Sequence, residues 1–393
     1  MGAFLGVLRS NEVLSALYNM IISQQVFADN IGKHQTLVDK ARVDGSLYGD
    51  TKLYYSADAL KSVPWGNDAE ASNLLALHRP AAPECQAIHL DQFRQISLTI
   101  DNYLSKRAWS TEAAFAEFTS VMLGWMRETK LVYDGTTYNS YIGTAQTSVG
   151  KQMVSVDVST ARGSASTEEE ANRLEAMAIA QSIADLLVEM GDYSRDFNDY
   201  GHLRSYAEDS IRVIWNSKFV NKIKKIDTPT IFNREGLVNK LDEDILPARY
   251  FGTVITSSNV ASFSDSTPAA GKPIDSDDSS YVPGSNHANG CIRSLVEKDI
   301  TVSAVAYHVF PGDEIPAGAT IKASGTFELG EVYIEQADII CKVVVKLPVF
   351  MSAFEVGTSF FNAKSLTENR YLTFSHNTIE YFKNYPFITV KAI

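Results

Sequence analysis

Apolar and polar residues follow two rhythms along this chain, and the switch between them organises the rest. Gln95 to Asp101 (QISLTID) alternates at period two, the signal of a half-buried strand. Ser110 to Asp134 (STEAAFAEFTSVMLGWMRETKLVYD) then changes to helical spacing. Phe115, Phe118, Met122, Trp125 and Val132 fall on one face of what reads as the longest amphipathic helix. Ser110 or Thr111 caps its start, Glu112 suits the positive first turn, and Asp134-Gly135 is expected to stop it.

A second strong helix follows Thr167. Thr167-Glu168-Glu169-Glu170 is a capping box, and Ala176, Ile179, Ala180, Ile183, Leu187 and Met190 make its buried face. Gly191 is its expected C-terminal cap. Residues Asn11 to Asn30 carry a weaker helical pattern. Leu47 to Ala57 and Ala87 to Asp101 read as extended legs around a tip with turn signals at Pro64-Trp65-Gly66 and HRPAAP, a long hairpin-like arm. An isolated two-stranded ribbon is marginal in water, so this arm is expected to lie on something else, such as another subunit.

Further on, Tyr138 to Val158 shows hints of strand, and SIRVIW (210–215) reads as a buried strand. Asn216 or Ser217 then caps a short helix, Lys218 to Ile226. Leu237 to Asp244 reads as another short helix and Ala248 to Ile255 as a strand. Thr256 to Gly290 is dominated by Ser, Asp, Asn, Gly and Pro, the composition of a long loop or insertion. Thr301 to Val309, Thr326 to Ile334 and Ala337 to Leu347 look like strands, with a turn at Phe310-Pro311-Gly312. The pattern is that of a large α+β protein.

Composition narrows this. With 393 residues, 45% hydrophobic, the chain can bury a sizeable core. A net charge of -12 argues against a broad basic surface for duplex DNA. Three scattered cysteines, Cys85, Cys291 and Cys341, form no CxxC pair and suggest neither a disulfide framework nor structural zinc. No apolar run reaches the length of a membrane span and the N-terminus carries no convincing signal peptide, so a soluble protein is expected.

The search for chemistry is negative. Cys85 and His89 would stand about 13 Å apart on an extended leg, too far for a nucleophile and its base. Asp275, Asp277 and Asp278 resemble the start of a calcium loop, but Ser280 and Asn286 occupy the positions that need Gly and Glu. His308 with Asp313 and Glu314 lacks a second histidine. Lys218, Lys222, Lys224 and Lys225 form the dense basic cluster, which reads as a solvated face or a contact with phosphate or acidic side chains. There is no P-loop, GxGxxG, HExxH or GxSxG. No catalytic, cofactor or metal residue is assigned, and the reading is non-enzymatic.

Three stretches, however, resemble a known family. QISLTIDNYLSKRAWST with FTSVMLGWMRETKLVYDGTTYNSYIG, then LRSYAEDSIRVIWNSKFVNKIKKI, then ADIICKVVVKLPVFMSAFEVGTSFFNAKSLTENRYLTF are similar to major capsid (head) proteins of tailed phages, in particular podophages of the phi-twenty-nine type. They agree in order and texture, not through a short motif. The resemblance implies the Hong Kong 97-type fold. It divides the chain into an N-terminal arm (1–46), an extended loop (47–101) and a peripheral domain (102–209) with its spine helix at 110–134. An axial domain (210–338) with an insertion at about 253–336 follows, and C-terminal strands (339–393) return to the core. The implied function is self-assembly as pentamers and hexamers into an icosahedral head shell around double-stranded DNA, without sequence-specific binding and without a membrane. A scaffolding protein and a portal are further partners such an assembly admits. The family's lysine–asparagine cross-link has no match here, so non-covalent contacts are expected. Candidate interface residues are Trp65, Phe93, Arg94, Arg107, Lys218 and Lys222. Trp65, near the arm tip, is the candidate anchor, with local packing as the alternative. A tail or sheath subunit and a soluble enzyme built from distant residues are the competing classes.

Overall fold

The structure, a computed structural model, describes residues 36–45, 51–62, 77, 79–101, 112–220, 242–259, 291–316, 319, 321 and 325–393. The elements run α1 (Thr36–Ala41), β1 (Arg42–Asp44), β2 (Thr51–Ser56), β3 (Glu84–Asp101), α2 (Glu112–Thr144), β4 (Met153–Val156), α3 (Val158–Gly163) and α4 (Glu168–Gly191). They continue with β5 (Arg212–Asn216), β6 (Asp242–Leu246), β7 (Gly252–Val254), β8 (Ile292–Ser294), β9 (Lys298–Val302) and β10 (Val305–Val309). The last are β11 (Val332–Glu335), β12 (Ile339–Val344), β13 (Phe350–Asn362), β14 (Thr367–Asn377) and β15 (Phe387–Ala392). The expected α+β class is what the chain adopts.

The described residues fall into two compact units. The first holds residues 36–45, 90–101, 112–135 and 351–378. Its sheet has the order β1, β13, β14, β3, with β14 antiparallel to β3 from Thr367 opposite Asp101 to Asn377 opposite Leu90. The QISLTID strand is therefore real and longer than its alternating core. The expected arm is not a free two-stranded ribbon: the second half of β3 is paired along its length by a strand from the C-terminal region of the same chain.

Helix α2 corrects the sequence reading twice. Trp125, placed on the buried stripe by spacing, is 46% exposed, while Met126, Lys130 and Tyr133 are buried. The true inner face is rotated by about one residue because a lysine, read as polar, belongs to it. The side chains of Phe115 and Phe118 lie outside the described residues. The helix also runs on through Asp134-Gly135 to Thr144. Asp134 does not act as a helix stop because its carboxylate is engaged elsewhere, accepting from Lys130 Nζ at 3.1 Å and from Arg42 at 3.2 Å.

The second unit holds residues 51–62, 77, 79–89, 136–220, 242–259, 291–316, 319, 321, 325–350 and 379–393. Its main sheet has the order β4, β15, β12, β5, β6, with β4–β15 and β5–β6 parallel. Helix α4 shares a core with this sheet: Ile179, Ile183, Leu187 and Met190 pack with Val213, Trp215, Val343, Ile388 and Val390. Every residue of its expected buried face is buried. Thr167 caps it as expected, its hydroxyl accepting from Glu170 N–H at 3.2 Å. Gly191 is not the cap; it closes the last turn, and Asp192 in extended conformation follows.

Central strand β12 is buried throughout, the continuous apolar run of a strand covered on both faces, with Lys342 as the exception in kind. Its Nζ donates to Ala145 O at 2.7 Å and Thr389 Oγ1 at 2.9 Å. Burial, with the nearby Lys391 charge adding to it, pushes its pKa well below the ordinary lysine range.

A smaller part of this unit has the sheet β7, β11, β8 and the hairpin β9–β10. Ile255, Ile292, Ile300, Val309, Phe327 and Val332 form its core. Residues 301–309 are not one strand: Ser303 and Ala304 take φ of 50° and 65°, so the chain turns back on itself. The expected turn at 310–312 does form, with Gly312 at φ 90°. Three other expectations change. Asp242 to Asp244 begins a strand, held to β5 where Arg212 meets Asp242, and is not the end of a helix. Residues 248–250 form a short 3-10 turn before β7. Of 326–334 only Val332 onward is strand, and of 138–158 the first part is helix and only β4 is strand.

Candidate functional site

The best-defined feature that sequence reasoning singled out is the root of the arm, within the second unit. β2 pairs antiparallel with the first part of β3, from Thr51 opposite His89 to Ser56 opposite Glu84. Both legs are tied down. Gln86 donates to Tyr381 O at 3.0 Å and accepts from Lys383 N–H at 3.1 Å. Ser56 Oγ donates to Asn384 Oδ1 at 2.6 Å and lies 2.8 Å from His202 Nδ1. Beyond it, Arg204 donates to Ala57 O at 2.7 Å.

Asp58 completes the clamp. It accepts from Leu203 N–H at 2.9 Å and from Arg195 at 2.6 Å. The Leu203 amide, then the Arg195 guanidinium, hold its carboxyl well below the usual range. Lys346 adds a cation–π contact, its Nζ 5.5 Å from the Tyr54 ring and 4.7 Å from that of Phe382. The part of the arm nearest the body is thus anchored by its own chain.

None of the weighed chemical sites assembles. Cys85 and His89 lie on one strand without contact; His89 Nδ1 is 3.0 Å from Thr51 Oγ1. His308 turns to Asp299 at 2.6 Å and Glu297 at 3.1 Å, while Asp313 accepts from Phe310 N–H. Residues 275–278 lie outside the described residues, as do Trp65, Arg107, Lys222, Lys224 and Lys225. Among the described residues no group of three or more His, Cys, Asp or Glu side chains could hold a metal. No helix among them is long and apolar enough to cross a membrane.

Of the other interface candidates, Phe93 and Arg94 lie in the first unit and Lys218 in the second. Phe93 is 68% exposed in the first unit, and Lys218 is exposed in the second. Arg94 lays its guanidinium over the Tyr133 ring at 4.9 Å, so part of its surface is already used. Phe360 (62%) and Phe361 (53%), in an aromatic-rich C-terminal region whose sequence reads as core material or contact surface, are also exposed, near the tip of the β13–β14 hairpin.

The same unit contains a buried histidine that links helix to sheet. His376 Nε2 lies 2.7 Å from Tyr133 Oη, and Nδ1 lies 2.8 Å from Asn377 O. With Nδ1–H donating to the carbonyl, Nε2 accepts from the tyrosine. Burial pushes the His376 pKa down from 6.5, against smaller opposing contributions from the Asn377 carbonyl and Asp134. The folded state therefore favours the neutral ring. Stability from this contact is complete above pH 6.5 and falls as pH drops through 6.5 toward the lower folded value, because the unfolded chain takes up the proton first. The urea midpoint is expected to drop more between pH 7.5 and 5.5 for the native chain than for His376→Asn.

No protein-family model and no curated protein matches this sequence. Solved structures do match in fold. The fold is similar to that of a chain in the capsid structure of Staphylococcus phage Andhra, with TM-score 0.55 and 11% identity over 94% of this chain and 87% of that one. It is also similar to a chain in the structure of the head fiber and inner core protein gp22 of native bacteriophage P68. There the TM-score is 0.53 at 10% identity, over 90% of this chain and 83% of the other. The mixed architecture, few helices and several sheets, is thus a fold found in phage particles.

Proposed function

We propose that this chain is the major capsid protein of a tailed phage, of the Hong Kong 97 type, and that its copies assemble as pentamers and hexamers into an icosahedral shell around double-stranded DNA. The fold shared with the Andhra capsid chain over 94% of this chain carries the reading. The long helix α2, fed by the long strand β3, supports the assignment of a spine helix and an extended loop. The remainder of the loop, with Trp65 at its tip, would reach a neighbour from the root held by Ser56, Asp58 and Arg204. Phe93, Arg94, Arg107, Lys218 and Lys222 are proposed contacts in the same shell. The interior wall of such a shell must not hold DNA tightly, and a net charge of -12 favours that. A scaffolding protein and portal would act as assembly partners.

Electron microscopy of the particles that contain this chain tests the reading. Closed isometric shells built from it are the expected result. Tubes or fibres would assign it to a tail or sheath, and a product that stays monomeric with its phage's other head proteins present would overturn the assignment.

A further inference from the structure

The β13–β14 hairpin leaves one strand edge open. β1 is three residues long and meets β13 near its start, where Gly45 N–H donates to Ser352 O at 3.1 Å. Toward the tip, β13 residues Val356 to Asn362 pair with β14 on one side, and among the described residues no strand lies on the other. All seven residues are exposed. Sheet edges are ordinarily protected by proline, lysine, a bulge or short length. This stretch, Val-Gly-Thr-Ser-Phe-Phe-Asn, has no charge and no proline, and its pairing with β14 has no register shift. Its outward backbone groups and its apolar side chains both ask for a strand.

We propose that the strand is the same segment of a second copy, laid antiparallel across a two-fold axis centred on Thr358. The inference rests on the assembly reading above and names one contact within it. The geometry limits the choice. A two-fold axis perpendicular to the sheet keeps each face on its own side, so residues that meet must share a face, and the axis must pass midway between one residue and its own mate. Centring on Thr358 brings Val356 opposite Phe360 twice and Thr358 opposite itself. β-Branched with aromatic, and threonine with threonine, are favourable cross-strand pairs. The charge pattern agrees: Glu355 meets Phe361, not another carboxylate. Moving the centre to Ser359 would instead put Val356 opposite Asn362 and Gly357 opposite Phe361.

Cysteine cross-linking in the full chain tests this, in a Cys85→Ser background that removes the exposed native thiol. Thr358→Cys lies on the axis and should give disulfide-linked dimers on mild oxidation, since directly opposed residues meet the Cα spacing a disulfide needs. Val356→Cys alone should stay monomeric on a non-reducing gel, whereas Val356→Cys with Phe360→Cys should form dimers. Dimers at least tenfold more abundant for Thr358→Cys than for Val356→Cys are expected. Equal yields from both, or no dimer from Thr358→Cys in assembled particles, would overturn the pairing while leaving the capsid reading intact. Failure of the capsid reading shows separately, as absence of shells by microscopy.

Discussion

Gly143→Ala is expected to lose about 3 kcal/mol or more of folding stability, or to leave no folded protein. A β-carbon at this position would stand 2.0 Å from the carbonyl oxygen of Tyr250 and 2.5 Å from its carbonyl carbon. Both are backbone atoms, so no side chain can rotate away. The segment that would have to shift runs from the 3-10 turn at 248–250 into β7, and Phe251 beside it is fully buried. The last turns of α2 are held on their other sides too: Tyr138 donates to Pro348 O at 2.8 Å, and Tyr141 Oη accepts from Tyr381 N–H at 2.7 Å. Glycine here permits close approach of a helix to another backbone; its conformational freedom is not needed. Urea unfolding is the measurement, with Gly124→Ala as control. Gly124 lies in the same helix with nothing within 4 Å of its would-be β-carbon. That control should gain about 0.5–1 kcal/mol from helix propensity alone. Equal midpoints for the two variants would mean that the close approach is not a stability determinant.

What the sequence disclosed depended on how local each signal was. Thr167 and the stripe from Ala176 to Met190 were readable because cap, first-turn charges and apolar face all lie within one helix. The period-two run of QISLTID was readable for the same reason. The end of α2 was not, because Asp134 is neutralised by Arg42, far away in the chain, and Gly143 continues the helix where it meets Tyr250. The rotated inner face of α2 was hidden by Lys130, which no apolar count would place inside. Lys342 is the same lesson in a strand. The arm looked coreless because its partner strand, β14, comes from more than 250 residues later in the sequence. Its root was equally hidden, since Ser56, Asp58, Arg195, Arg204 and Asn384 are ordinary polar residues until the fold gathers them. The fold comparison does not depend on local patterns: the backbone arrangement is similar to that of the Andhra chain although only 11% of residues agree.

Asp134→Ala should destabilise the protein by about 3–5 kcal/mol, the cost typical of removing one partner from a buried ion pair. Asp134 is 1% exposed and Lys130 6% by side chain, and they lie one helical turn apart at 3.1 Å. Arg42 reaches the same carboxylate oxygen at 3.2 Å from the start of β1. Without the carboxylate, the Lys130 ammonium keeps, among the described residues, Glu355 at 3.5 Å, whose side chain is 48% exposed, and the Phe374 ring that it overlies, 5.6 Å from the centroid. Neither replaces a buried anion. The loss therefore comes less from the attraction removed than from the cation left behind in a site that excludes water. That distinction is measurable. Lys130→Met alone removes the stranded charge, and Lys130→Met combined with Asp134→Leu removes both and fills the space with apolar atoms. If the stranded charge is the cause, the double variant will be more stable than Asp134→Ala by at least about 2 kcal/mol, a coupling far outside additivity. Losses that simply sum would instead show that Asp134 serves Arg42, and through it the junction of α1 with β1, more than it serves Lys130.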